Sequence, residues 1–272
     1  MIAKRLTVRV ILGICIVIIL APLIYMLSMS LKPEHTIFLH PLLPLPLPFT
    51  LDNYMRVWHD LPLLLYLWNS LAFSLGVTLG QVMIAVPAAF AFSQYQFRGQ
   101  RFLFALVLLS LTIPFVVTYI PNYLLLSSFG LLNTLPGMII PQIASGYGIF
   151  LLRQHFKNFS VSIREAAYLD GASNWTLLWR FIVPINRGPI SAFAVYVLIT
   201  TWDEYIWPLL VTNDGSTQTL TVAIQNYASS EGGSQWATLM AAATIATLPA
   251  LLLYLLVQRQ ILRTFMEGAV KG

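Results

Sequence analysis

Six apolar stretches, at about 8–31, 64–93, 102–121, 136–152, 188–211 and 236–257, leave this chain few ways to fold. Crossing the ~30 Å hydrocarbon layer of a bilayer takes a helix about 20 residues, and these runs are close to that length. In lipid every backbone group must find its partner inside the protein, which a helix achieves segment by segment. With 58% hydrophobic and only 9% charged residues, the chain falls far from a soluble domain, which carries roughly 25% charged residues. The expected fold class is an all-α polytopic membrane protein with six transmembrane helices. The first apolar segment, Val10 to Leu31, is longer than the ~7–15 residues of a signal-peptide core and lacks a small-residue cleavage site, so it reads as an anchor. The second stretch is long enough to begin in the interface. The fourth is short and interrupted by Pro141, Gly146 and Gly148.

Charge sets the orientation. With the N-terminus inside, Lys4, Arg5, Arg9, Arg98, Arg101, Arg153, Lys157, Arg164, Arg180, Arg187, Arg259, Arg263 and Lys271 all fall on one side, and only Lys32 and Arg56 on the other. Such a bias is the positive-inside signature and predicts that both termini are cytoplasmic. The net charge of +5 then reports topology, not nucleic-acid binding.

Two external connections are long. Residues 32–62 contain PLLPLPLPF, which reads as an extended segment. Residues 212–235 are polar with glycines and read as a flexible loop. Pro22, Pro87, Pro114, Pro121, Pro141, Pro208 and Pro249 fall in or beside the apolar runs, where kinks are expected. Gly146-Tyr147-Gly148 lacks the context of an ion filter and is expected to kink the fourth span.

One internal segment breaks the apolar pattern. In residues 162–184, Ser162-Ile163-Arg164-Glu165 has the form of a capping box, and Gly171 suits the left-handed residue that ends a helix. Ser173 can cap a second helix, stopped by Pro184. Ala166, Ala167 and Ala172 are small enough to let another surface approach the backbone. Trp175 and Trp179, four apart, share a helical face and are expected to pack the element against the ends of the membrane helices. From the residues alone, this is either a docking handle or a plain helix–loop–helix.

Glu165-Ala166-Ala167, Asp170-Gly171-Ala172 and Pro184, at this spacing, resemble the EAA motif of permeases from ATP-binding-cassette importers. Trp202 to Pro208 (WDEYIWP) and the closing Gly268-Ala269-Val270-Lys271-Gly272 are similar to the branch serving carbohydrate importers of the maltose-transporter type. The resemblance runs from about Asn69 to the C-terminus. It implies a type I importer permease fold, with domains at 1–65 (first helix and proline-rich loop), 66–257 (permease core, coupling loop at about 153–187) and 258–272 (cytoplasmic tail). It further implies that Glu165, Ala166, Ala167, Asp170, Gly171 and Ala172 engage a separate ATPase that binds ATP and Mg, this chain binding no cofactor itself. The implied partners are a second, non-identical permease, two ATPase subunits and an extracytoplasmic solute-binding protein in a bacterial or archaeal cytoplasmic (inner) membrane. The implied solute is a sugar or related polar solute, with glycerol-3-phosphate or another polyol as the alternative. Residues 212–235 either enter the binding protein, as the corresponding loop does in that family, or form an ordinary connection.

The acids of the fifth stretch are the other unusual feature. Read as one helix from Ile190, this stretch carries Asp203 about 20 Å along, at ~1.5 Å per residue. An ionised acid at mid-membrane costs about 2.5–3.5 kcal/mol on insertion scales, so such a residue should be wet, paired or protonated. Trp202, Asp203, Glu204, Tyr205 and Trp207 are therefore substrate-path candidates, since aromatic faces beside carboxylates suit sugars. Trp207 and Tyr205 read equally well as interfacial belt residues. An ion-coupled secondary transporter using Asp203 and Glu204 is the rival function. No phosphate-binding G-x-x-x-x-G-K-[ST] run or catalytic set occurs, so the chain is not expected to be an enzyme. His35, His40, His59 and His155 are scattered and suggest no metal site.

Overall fold

The structure is a computed structural model that describes residues 2–39, 46–230 and 235–269. Among these residues every regular element is helical. In chain order they are α1 (Ile2–Ser30), α2 (Asp52–Asp60), α3 (Leu63–Gln94), α4 (Gln100–Ser110), α5 (Tyr119–Ser128), α6 (Leu135–Ile139) and α7 (Gly146–Phe156). Then follow α8 (Val161–Leu169), α9 (Asn174–Thr176), α10 (Val183–Ile185), α11 (Arg187–Trp202), α12 (Ile206–Val211), α13 (Leu220–Ser230) and α14 (Trp236–Ala269).

The apolar stretches are thus helical, but not uniformly. Two described helices are long and apolar enough to cross a membrane alone, Thr7–Ser30 within α1 and Leu63–Gln94. Three more reach that length only as bent pairs: Gln100–Ser110 with Phe115–Ser128 at 92°, Leu135–Gln142 with Gly146–Phe156 at 49°, and Asn174–Ile185 with Arg187–Trp202 at 79°. Proline explains several breaks. A helical proline lacks an N–H and its ring crowds the carbonyl four residues earlier. Accordingly α4 ends at Ser110, four before Pro114, and α10 ends at Ile185, four before Pro189. Pro22, Pro87 and Pro249 instead lie inside continuous helices, so an apolar proline by itself does not predict a break.

The chain forms two compact units, one of Met1–Leu67 with Leu220–Leu251, the other of Trp68–Thr219 with Leu252–Gly272. In the first unit, the apolar side chains of α1 from Val8 to Leu27 are largely exposed, as expected of a helix whose solvent is lipid. Residues 32–62 do not simply run extended: Glu34–Thr36 is a 3-10 turn and Asp52–Asp60 a helix. Buried Asn53 holds them, its Nδ2 donating to the carbonyls of Ser30 and Lys32 at 2.8 Å each. The proline-rich run falls mostly outside the described residues. Nor is 212–235 a flexible loop throughout, because α13 occupies Leu220–Ser230. Its Leu220, Ala223 and Tyr227 are buried at helical spacing, and the Tyr227 hydroxyl donates to Asp60 Oδ2 at 2.9 Å. Residues 231–234 and the closing 270–272 lie outside the described residues.

The core of the second unit gathers Phe73, Val77, Met138, Leu152, Phe156, Leu178, Phe193 and Trp207. As expected, the fourth stretch bends next to Gly146-Tyr147-Gly148. A Cβ on Gly146 would strike the Ser110 hydroxyl, and one on Gly148 the Phe193 ring. Both glycines therefore permit the close approach of α7 to α4 and α11.

Candidate functional site

The second unit carries two places where chemistry and shape coincide: a polar cavity and an exposed hairpin. The cavity begins with the interruption between α11 and α12. Residues 188–211 do not form one straight span, because Pro208 crowds the carbonyl of Glu204 and the helix stops at Trp202. Asp203 closes it, donating its N–H to the Ile199 carbonyl at 3.1 Å. The Glu204 side chain then reaches into the unit. Its Oε2 accepts from Gln142 Nε2 at 3.0 Å and its Oε1 from the Tyr119 hydroxyl at 3.4 Å. Gln142 sits just before another broken helix, at the end of the 3-10 turn after α6, and its carbonyl accepts from Gln81 Nε2 of α3 at 2.8 Å. Three interrupted segments therefore meet at one carboxylate, and continuous α3 bonds one of its partners.

These groups line a cavity of about 380 Å³, with Tyr147, Tyr196 and Thr200 among its other walls. That volume is within the range of small-molecule sites. Aromatic and hydrogen-bonding side chains share its lining, Tyr147 and Tyr196 lying 5.3 Å apart.

Of the five sequence candidates in 202–207, only Glu204 lines the cavity. Trp202 is buried and Asp203 exposed beside it. Trp207 is 0% exposed, so the interfacial-belt reading does not hold for it. Its indole N–H donates to the Met138 carbonyl at 3.0 Å. Its ring packs 5.6 Å from Tyr119 and 5.9 Å from Phe115. Trp207 thus braces the ring whose hydroxyl reaches Glu204. Sequence reading missed Gln81, Tyr119, Gln142, Tyr147 and Thr200. Gln81 and Gln142 stood out as amides within apolar runs, a signal that was available.

The second place is the hairpin α8–α10. The capping box is not formed as read. Ser160 is the N-cap, and Ser162 within the helix shares a 2.7 Å hydrogen bond with the Ser160 hydroxyl. The C-terminal expectation holds. Gly171 has φ +78°, the left-handed conformation that glycine adopts without strain. Its N–H donates to Tyr168 O at 3.0 Å, and that of Ala172 to Ala167 O at 2.9 Å, the paired bonds of a Schellman ending. Ser173 caps α9, accepting from the Thr176 N–H at 3.2 Å. Pro184 does not end the second helix from outside. It lies within α10, directly after a π-helical stretch at Leu177–Ile182, and the chain turns at Asn186.

Glu165, Ala166, Asp170 and Gly171 are exposed, Ala167 is buried in the core, and Ala172 packs partly against it. Leu169 is 89% exposed. Trp175 and Trp179 stack on each other at 6.3 Å and 7°, but are 63% and 51% exposed. The expectation that they pack against the membrane helices is therefore wrong. They extend an uncovered apolar face. The hairpin is nonetheless tied to the unit: Arg164 Nη1 donates to Gln94 Oε1 at 3.3 Å, and Gln94 Nε2 donates to Phe156 O at 2.7 Å. Beside it, burial and then the neighbouring Tyr168 push the Tyr95 phenol up to about 12, so it stays neutral.

Comparison with known proteins agrees with this architecture. Residues 81–266 match the family described as binding-protein-dependent transport system inner membrane component. The chain is 29% identical over 267 residues to the sn-glycerol-3-phosphate transport system permease protein UgpE of Yersinia enterocolitica, covering 96% of this chain and 95% of that protein. It is 32% identical over 220 residues to the lactose transport system permease protein LacG of Rhizobium radiobacter, covering 81% and 80%. In fold it matches a chain from a crystal structure of a bacterial ABC transporter involved in the import of the acidic polysaccharide alginate. That match has TM-score 0.82 and 23% identity, over 94% of this chain and 96% of the other. Matched over more than half its length and similar in fold, the chain belongs to the family of binding-protein-dependent transport system inner membrane components, and is a transport subunit rather than an enzyme.

Proposed function

We propose that this chain forms part of the translocation path of an ATP-driven importer for a sugar or related polar solute. The observation that carries this reading is the exposed, uncovered hairpin α8–α10 on a unit that also contains a polar cavity. In this reading Glu165, Ala166, Asp170 and Gly171 present the surface that seats in a separate ATPase, while buried Ala167 and half-buried Ala172 fix the hairpin to the bundle. Two copies of that ATPase bind ATP and Mg. A second, non-identical permease completes the path, and an extracytoplasmic solute-binding protein delivers the solute. Six spans with both termini cytoplasmic account for the charge bias, with α4–α5 and α6–α7 each counted as one broken span. The core then runs from about 66 to 257, with 258–272 as a cytoplasmic tail. The substrate names of the relatives, a lactose and an sn-glycerol-3-phosphate system, support a sugar, with glycerol-3-phosphate or another polyol as the alternative.

Mechanically, ATP has to favour one packing of the bundle over another by differential contacts. A shift from 1:99 to 99:1 takes about 5.5 kcal/mol. The test is uptake by proteoliposomes holding the whole complex. Uptake that needs ATP and survives an uncoupler is expected. Uptake that an ion gradient drives without ATP would overturn the reading. Gly171→Val forces a β-branched residue into the left-handed region, costing about 1–2 kcal/mol, and is expected to abolish uptake while insertion stays normal.

A further inference from the structure

The cavity around Glu204 has a chemical preference that narrows the solute, given the importer reading on which this step rests. Its acceptor is a carboxylate whose two oxygens receive Gln142 Nε2 and the Tyr119 hydroxyl. Among the described residues lining the cavity there is no lysine or arginine. The amide carbonyls of Gln81 and Gln142 add acceptors, and Tyr147 and Tyr196 add aromatic faces. Neutral hydroxyls can donate to these acceptors and accept from the same donors. An ionised phosphate or carboxylate brings only acceptors and a like charge, which a low-dielectric cleft penalises.

We propose that the Glu204 cavity is a charge filter that admits polyhydroxylated solutes without an anionic group, and turns away phosphorylated or uronic ones. Glu204 is its selective element. Gln142 and Tyr119 position the carboxylate, and Trp207 in turn holds the Tyr119 ring.

The filter can be read without knowing the solute. Cys15 is the sole cysteine, so Cys15→Ser provides a thiol-free chain. Thr200→Cys, or independently Ala144→Cys, then places one thiol on the cavity wall of the full chain, expressed with its partner subunits in membranes. Modification rates are measured with a trimethylammonium and a sulfonate methanethiosulfonate, each normalised to its rate with a free small thiol. The cationic reagent is expected to react at least about tenfold faster, the lower end of focusing by a charged cleft. Adding Glu204→Gln should bring the ratio close to one. A ratio near or below one with Glu204 present would overturn the filter. So would a ratio that survives Glu204→Gln, or thiols at both positions that neither reagent reaches. Because no ATP or uptake enters this measurement, a failed filter is distinguishable from a failed importer.

Discussion

Helices α3 and α11 are both apolar and both meet a proline, yet one runs on and the other stops. Pro87 lies inside α3, a continuous helix of 32 residues, with Ala85, Val86, Ala89 and Phe90 buried around it. Packing on both sides holds the two halves of that helix in line. Ahead of Pro208, α11 ends, and the residue whose carbonyl is displaced, Glu204, has polar partners waiting on α5 and beside α6. The lesson is that proline offers a break and tertiary partners decide whether it is taken. Where partners are apolar the helix absorbs the lost bond. Where they are polar the gap becomes a site.

The comparison breaks most severely at Trp207. Trp207→Ala removes a wholly buried indole and its bond to Met138, an expected loss of about 3–5 kcal/mol. It should appear as a sharp fall in thermal stability and folded yield in detergent. A near-normal Tm would mean that the broken segment needs no brace.

Two proline replacements sharpen the contrast. Pro208→Ala restores an N–H able to bond the Glu204 carbonyl, so helix should spread across 203–205 and draw the carboxylate from Gln142 and Tyr119. Uptake should fall at least about tenfold, or ~1.4 kcal/mol, with folded yield maintained. Pro87→Ala should leave uptake within about twofold and stability unchanged or raised, since an interior helical proline costs about 3 kcal/mol. The opposite pattern, with Pro87→Ala the inactive variant, would reverse the argument.

The smallest effect is expected in the turn after α12. The Asp214 carboxylate accepts from the Ser216 hydroxyl at 2.7 Å and its N–H at 3.0 Å, and the Ser216 hydroxyl is the main cause holding its pKa below the ordinary value. A carboxylate with a depressed folded-state pKa contributes fully above the unfolded value of about 3.9 and loses its contribution as pH falls through the lower folded value. Asp214→Asn should therefore lower Tm slightly at neutral pH, with the difference vanishing in acid. A difference that persists in acid would assign it to something other than the charge.

Much of the architecture was legible because lipid imposes a simple rule, backbone satisfaction within apolar helices. The Gly171 turn was equally legible, since a left-handed residue ending a helix has a local signature. Side-chain direction was not. Trp175 and Trp179 looked like packing residues from their spacing, but spacing cannot say which face is covered. Trp207 read as a substrate-path candidate or a belt residue, yet a carbonyl of Met138, 69 positions away in sequence, made it core. The helix in 220–230 went unread because polar neighbours masked the short buried stripe of Leu220, Ala223 and Tyr227.

By itself the sequence determined that this chain is a membrane component, that its apolar runs are helical, and where its exposed hairpin turns. All three follow from composition or from contacts within a few residues. The tertiary structure alone decided which prolines interrupt a helix, which tryptophans are buried, and that Glu204 meets Gln142 and Tyr119. Those outcomes depend on groups separated by 62 and 85 positions, whose meeting is set by how helices pack.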